Sequence, residues 1–206
     1  MDNLVKYGLF ALVIGGIYFY SSSDDTQYAA DDIDLNAVLD VTVDTLYAFE
    51  DNPAGQVSLT AQDDELAQAH ADQAFLEFAS VLESDYNAAV PALHTQTIGV
   101  APQTDASLLA YEDLNANQNM DENEDALFLI EIDGENARII ASSRSGAINE
   151  HHFSGTGLLT GYLLGSMLSR QRSAGVSSSQ LASKKPVTAK SAARARAGSG
   201  SHSKGK

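Results

Sequence analysis

Apolar and polar positions follow blocks of different period along the chain, and each block predicts a different element. Residues 7–20 (YGLFALVIGGIYFY) form an unbroken run without charge. With Leu4 and Val5 the run reaches about 17 residues, the short end of the range for a spanning helix, and Lys6 can snorkel to the interface. Tyr18, Phe19 and Tyr20 supply an aromatic end, followed at once by Ser-Ser-Ser-Asp-Asp. Lys6 before the run and acids after it favour an N-terminus inside and a body outside. A cleaved signal peptide is the rival, with Tyr28-Ala29-Ala30 as a weak cleavage site. Residues 1–22 are therefore read as membrane anchor or signal, and residues 23–32 as a polar linker.

From Asp34 to Phe49 the apolar positions Leu35, Val38, Leu39, Leu46 and Phe49 fit one helical face. Val41, Val43, Thr45 and Tyr47 also alternate as in a strand. Asp51 to Gly55 reads as a turn. Thr60 and Asp63 have capping-box spacing, opening a helix to about Tyr86 with a buried stripe of Ala71, Phe75, Phe78, Ala79, Leu82 and Tyr86. Pro91 and Pro102 mark irregular boundaries. Four short apolar runs follow: Thr97–Val100, Ser107–Glu112, Ala126–Ile132 and Ala137–Ser142. Asp133-Gly134-Glu135-Asn136 reads as the hairpin turn between the last two. The expected fold class is α+β, a small antiparallel β-meander packed on one or two helices, spanning residues 33–150.

A second apolar segment lies within residues 151–169. Gly157, Gly161 and Gly165 recur at four-residue spacing, which on a helix gives one face of close approach. It can be a second membrane helix at 153–168, an oligomerisation helix, or a segment buried in the domain. Residues 170–206 are mostly Ser, Ala, Gly, Lys and Arg, and that composition predicts disorder.

Charge sharpens the division. All 28 acids lie in residues 1–150, with Lys6, Arg138 and Arg144, for a net −25. The remainder carries nine cations and no acid. The acidic body repels nucleic acid and attracts cations. The basic tail is suited to anionic lipid or polymer, but lacks the interleaved aromatics of base stacking, so no specific nucleic-acid readout is expected. The absence of cysteine excludes disulfides, thiolate metal sites, cysteine catalysis and a lipoprotein anchor. Nucleophile-elbow, phosphate-loop and zinc-helix motifs are missing as well. The paired His151-His152 beside Glu150 lacks a third ligand nearby, and His70 and His94 are isolated in sequence.

One motif carries specific chemistry. Residues 113–124 read DLNANQNMDENE. Asp113, Asn115, Asn117, Asn119, Asp121 and Glu124 fall at loop positions 1, 3, 5, 7, 9 and 12, where a calcium loop takes its oxygen ligands. Met120 is the apolar residue that pins the loop. The segment resembles an EF-hand loop over 12 of 206 residues. That resemblance implies calcium as cofactor. Two departures qualify it: Gln118 stands where such loops carry Gly, and the flanks read as strands. Both imply a structural site of extracellular grade, with a dissociation constant of roughly 10⁻⁴–10⁻³ M.

These features lead to one expectation: a membrane-anchored, non-enzymatic structural or interaction protein. Its calcium-stabilised body would be extracytoplasmic, either periplasmic or at the cell surface. Two alternatives stay open. One is a subunit of a surface filament or membrane-containing virion that packs through the glycine-spaced helix, as a homo-oligomer or with an assembly partner. The other is an enzyme of unknown type.

Overall fold

The computed structural model describes residues 33–51, 64–152 and 162–198. The apolar run at 4–20, the linker, the turn at 52–55, the Thr60–Asp63 cap, Gly157 and Gly161 lie outside the described residues. Among the described residues no helix is long and apolar enough to cross a membrane.

Five strands form one antiparallel sheet in chain order: β1 (Ile98–Pro102), β2 (Leu108–Glu112), β3 (Ala126–Asp133), β4 (Arg138–Ser143) and β5 (Ile148–His152). The expected meander is therefore present, with a fifth strand that hydrophobic alternation did not reveal. Its residues, Ile-Asn-Glu-His-His, carry one aliphatic side chain, and pairing with β4 defines the strand. At the β3–β4 turn, the Asn136 main-chain N–H and side-chain amide donate to the two oxygens of Asp133 at 3.1 and 2.8 Å.

Strand alternation splits the sheet into two faces. Val100, Ala110 and Phe128 stand opposite one another across β1, β2 and β3, and Leu108, Ile130 and Ala141 across β2, β3 and β4. These six belong to the core. Over this face pack α1 (Leu35–Asp51), α2 (Asp64–Ala88) and α3 (Tyr162–Ser173).

The strand-like reading of Val41 to Tyr47 loses to helix for a local reason. Buried Thr42 donates to the Val38 carbonyl one turn back at 2.7 Å and also bonds the Tyr86 hydroxyl at 2.6 Å. Thr45 donates to Asp85 at 2.7 Å. Asp34 caps the helix start by accepting from the Asn36 N–H at 2.9 Å. On α2 the expected stripe is buried at Phe75, Phe78, Ala79, Leu82 and Tyr86, joined by Ala74. The side chain of Ala71 is outside the described set. Edge-to-face pairs, Phe49–Phe78 and Tyr86–Phe128, lock α1 to α2 and α2 to the sheet.

Helix α2 also runs along β1, the outer strand. Asn87 accepts from the Ile98 N–H at 2.9 Å and donates to the Ile98 carbonyl at 2.8 Å. Glu83, one turn earlier, accepts from the Val100 N–H at 3.0 Å. Two side chains thus complete the hydrogen bonding that a sixth strand would have supplied.

Of the three readings of the glycine-spaced segment, its described part agrees with burial in the domain. Leu163, Leu164 and Met167 of α3 are buried in the domain core. Gln171 donates to the Ile132 carbonyl at 2.8 Å, and Leu168 sits against Gly134. Gly165 faces outward, where an added Cβ meets nothing within 4 Å.

The tail expected to be disordered from residue 170 instead contains α4 (Ser178–Ser183) and α5 (Ala189–Gly198). Ser177 and Gln180 close a capping box on α4, and Leu181 is buried. Arg138 donates to the carbonyls of Leu181 and Lys184 at 2.8 and 3.0 Å. Lys184 pairs with Glu131, and Val187 exchanges two main-chain bonds of 2.8 Å with Ile148. Composition foretold too little apolar surface for independent folding. The acidic sheet supplies what the segment lacks.

Candidate functional site

The 113–124 loop joins β2 to β3. The Glu112 N–H donates to the Asp125 carbonyl and the Asp113 N–H to the Thr97 carbonyl, both at 2.9 Å, so the base of the loop is fixed from two sides. Its end carboxylates turn inward. Asp113 and Glu124 are only 4% and 5% exposed, an unusual burial for acids that have no cationic partner among the described residues.

Main-chain N–H groups compensate them. Asp113 accepts from Asn117 at 3.2 Å and Gln118 at 3.0 Å. Glu124 accepts from Leu114 at 3.0 Å and Asp121 at 2.9 Å. First and last acids therefore hold the loop in a closed ring of bonds. Ala116 and Gln118 adopt left-handed backbone, with φ of 56° and 59°. Gln118 thus takes the turn for which such loops ordinarily use glycine, at a cost of about 1 kcal/mol.

The remaining expected ligands surround this ring. Asp121 accepts from the side-chain amides of Asn115 and Asn117 at 2.8 and 3.0 Å. The amide oxygen of Asn115 accepts from the Asn117 N–H at 3.0 Å, and that of Asn117 from the Asn119 N–H at 2.7 Å. The Asn119 side chain donates to the Asn117 carbonyl at 2.8 Å. All six expected residues are brought into one loop. Among the described residues, no three acidic or imidazole side chains converge tightly enough to hold a metal as they stand. The amides of Asn115 and Asn117 both donate to Asp121 and partly offset its charge. The donor chemistry, three carboxylates and three amide carbonyls, fits a hard cation such as calcium once those amides turn.

Two residues that the sequence did not single out adjoin this loop. Glu83 on α2 accepts from the Gln118 side-chain amide at 3.2 Å while holding Val100. Tyr111 lies opposite Gly99 in the β1–β2 register, with its ring so close over Gly99 that a Cβ there would collide with it. Tyr111 is fully buried, and among the described residues its hydroxyl has no hydrogen-bond partner. Burial first, then the charges of Asp113, Glu83, Glu124 and Asp121, push the phenol pKa far above its ordinary value. Neither residue carries a signal in sequence, because strand register and helix docking create both positions.

A separate polar cluster lies at the other end of the sheet. Arg138, 6% exposed, donates to Asp133 at 2.9 Å and also pairs with Glu150. Burial alone would raise the pKa of Asp133. Hydrogen bonds from Asn136 and Arg138 outweigh it, and the net shift is downward. Glu150 is likewise lowered, with burial opposed by His152 and Arg138. One signal for this cluster was visible: Arg138 is among just three cations in residues 1–150 and opens an apolar strand.

Among the described residues the histidines gather no metal site. His151 and His152 alternate on β5, and His152 lies 3.2 Å from Glu150. His94, isolated in sequence, is 2.8 Å from Glu112, and its side chain is 5% exposed. No family model matches the chain, and neither a curated protein nor a solved structure matches it.

Proposed function

We propose that the chain is a membrane-anchored, extracytoplasmic structural or interaction protein whose acidic domain is stabilised by calcium at Asp113–Glu124. The observation that carries this reading is the pair of buried carboxylates, Asp113 and Glu124, closed on each other's loop backbone. Bringing acids together without a cation raises their mutual repulsion, and a bound cation removes that cost. Asp113, Asp121 and Glu124 would hold the ion by charge. The amide oxygens of Asn115 and Asn117 would complete the set, with Asn119 at the position that ordinarily offers its main-chain carbonyl. The ion supplies no reaction. It fixes the β2–β3 connection and neutralises part of a body with 25 excess negative charges.

The apolar run at residues 4–20 supports the membrane tether, and the acids after it support an outward body. Calcium is plentiful outside cells, so weak affinity suffices there. Helix α3 buries Leu163, Leu164 and Met167 in the domain core, which supports a single N-terminal anchor.

Thermal unfolding during a calcium titration tests the site. With calcium at ten times the dissociation constant, binding stabilises by about 1.4 kcal/mol. The melting temperature of the parent should rise at millimolar calcium, and that of Glu124→Gln should stay flat. An unchanged parent would sink the reading. Reporter fusions before residue 4 and after residue 206 should label opposite sides of the membrane.

A further inference from the structure

We propose that the exposed cations Lys185, Lys190 and Arg194 dock on an anionic phospholipid surface, a second and purely electrostatic contact beside the N-terminal tether. This rests on the membrane anchor at residues 4–20. The carrying observation is the place where the basic arm leaves the domain. Ile148 exchanges two main-chain bonds of 2.8 Å with Val187, just before α5. Asn149, the next residue, donates from its side chain to Asn36 in the first turn of α1 at 2.6 Å. Ile33, Asp34 and Asn36 line one cleft of about 450 Å³ together with Pro186, Thr188 and Ala189. The basic arm therefore starts beside the point where the chain enters the domain.

That entry point stays close to the membrane. Residues 21–32 separate the apolar run from Ile33, and fully extended they span at most about 40 Å. Helix α5, with 10 residues, adds about 15 Å of reach.

The cations of the arm divide in two. Arg170 pairs with Asp72, and Lys184 with Glu131. Lys185, Lys190 and Arg194 are exposed, and no acid among the described residues pairs with them. Beside a body of net −25, such cations face away from their own acids. At the start of α5, Thr188 accepts from the Ser191 N–H at 3.3 Å. Lys190 and Arg194 then lie one turn apart on one face of the helix.

The chemistry of α5 selects the partner. Its uncharged side chains are mostly alanine, so nothing large can enter the acyl layer or stack on a base. What remains is attraction to closely spaced anions, and a tethered domain meets headgroup phosphates first. Asp24, Asp25, Asp31, Asp32 and Asp34 oppose that approach from the entry side. The six cations from Lys185 to Lys206 outnumber these five. The acidic body is repelled by the same surface, so docking turns the arm inward and the β3–β4 turn outward.

The chain has no cysteine, so one introduced thiol reports one place. Ala195→Cys labels an exposed position on α5. Glu135→Cys labels the β3–β4 turn, at the far end of the strands from Ile148. Each labelled full chain is reconstituted in vesicles of phosphatidylcholine, with or without phosphatidylglycerol, and energy transfer to a headgroup acceptor is measured. Transfer from position 195 should rise with phosphatidylglycerol and fall with added salt, while transfer from position 135 stays low. Each cation near an anionic surface strengthens binding about fivefold. Lys190→Gln combined with Arg194→Gln should therefore remove most of the rise, with the melting temperature unchanged.

Equal transfer from position 195 in both kinds of vesicle, in a chain that floats with them, overturns this inference and leaves the anchor standing. A response to soluble polyphosphate but not to phosphatidylglycerol also overturns it and makes the arm a polymer contact. A chain that fails to float with phosphatidylcholine vesicles overturns the anchor, and the inference with it.

Discussion

The guanidinium of Arg138 donates to the carbonyl of Leu181 at 2.8 Å across 43 residues of sequence. This bond sits inside a cluster with Asp133, Glu150 and the Lys184 carbonyl, and it ties the basic segment to the acidic sheet. Breaking it exposes how the two oppositely charged parts depend on each other.

Arg138→Met leaves Asp133, which is wholly buried, without its cation. Loss of one partner of a buried pair costs about 3–5 kcal/mol. Urea denaturation should register that loss, and limited proteolysis should cut faster at Lys184 and Lys185. Lys184→Ala removes a more exposed pair with Glu131 and should cost under about 1 kcal/mol.

The same cluster sets a pH dependence. The Asp133 and Glu150 carboxyls are held below their ordinary range. Their stabilisation is therefore fully present above about pH 4, where unfolded carboxylates ionise, and is lost as pH falls through their lowered values. Melting temperature should drop below about pH 4. In Arg138→Met, Asp133 keeps Asn136 but has lost the other group that lowers it, so the gap between parent and variant should narrow on acidification.

Gly99→Ala should be disruptive out of proportion to one methyl group, because the new carbon meets the Tyr111 ring. Overpacking of this kind costs about 1–3 kcal/mol. Combining it with Tyr111→Ala should give a double variant less damaged than the sum of the singles. Denaturant midpoints for the four proteins check the coupling.

Asn87→Ala strips both hydrogen bonds from Ile98 at the sheet margin. The expected cost is about 1–3 kcal/mol. Sedimentation should also show concentration-dependent association beyond that of the parent.

Helix α2, the helical face of α1 and four of the strands were legible because burial writes a period into the sequence. Phe75, Phe78, Leu82 and Tyr86 repeat on one face of α2, and Phe128, Ile130 and Ile132 alternate on β3. Strand β5 left no such trace, since polar residues occupy four of its five positions and the β4 backbone holds it. The loop itself was legible because its spacing is local. Glu83 and Tyr111 were not, since they lie 30 and 2 residues before Asp113 and meet the loop only through register. The tail misled because composition reports what a segment can bury by itself. It does not report what Arg138 and Glu131 offer from elsewhere in the chain.

The side chains of Asn87 and Glu83 give the sheet a sidedness with a geometric consequence. A fibre that grows by strand addition needs two open margins, one to receive and one to offer. Here β1 is closed by α2, while β5 is met at Ile148 by Val187. Pairing through β5 could join two copies about a two-fold axis, and the assembly would then stop. Any larger array of this protein must be built through something other than strand addition, because its sheet terminates itself.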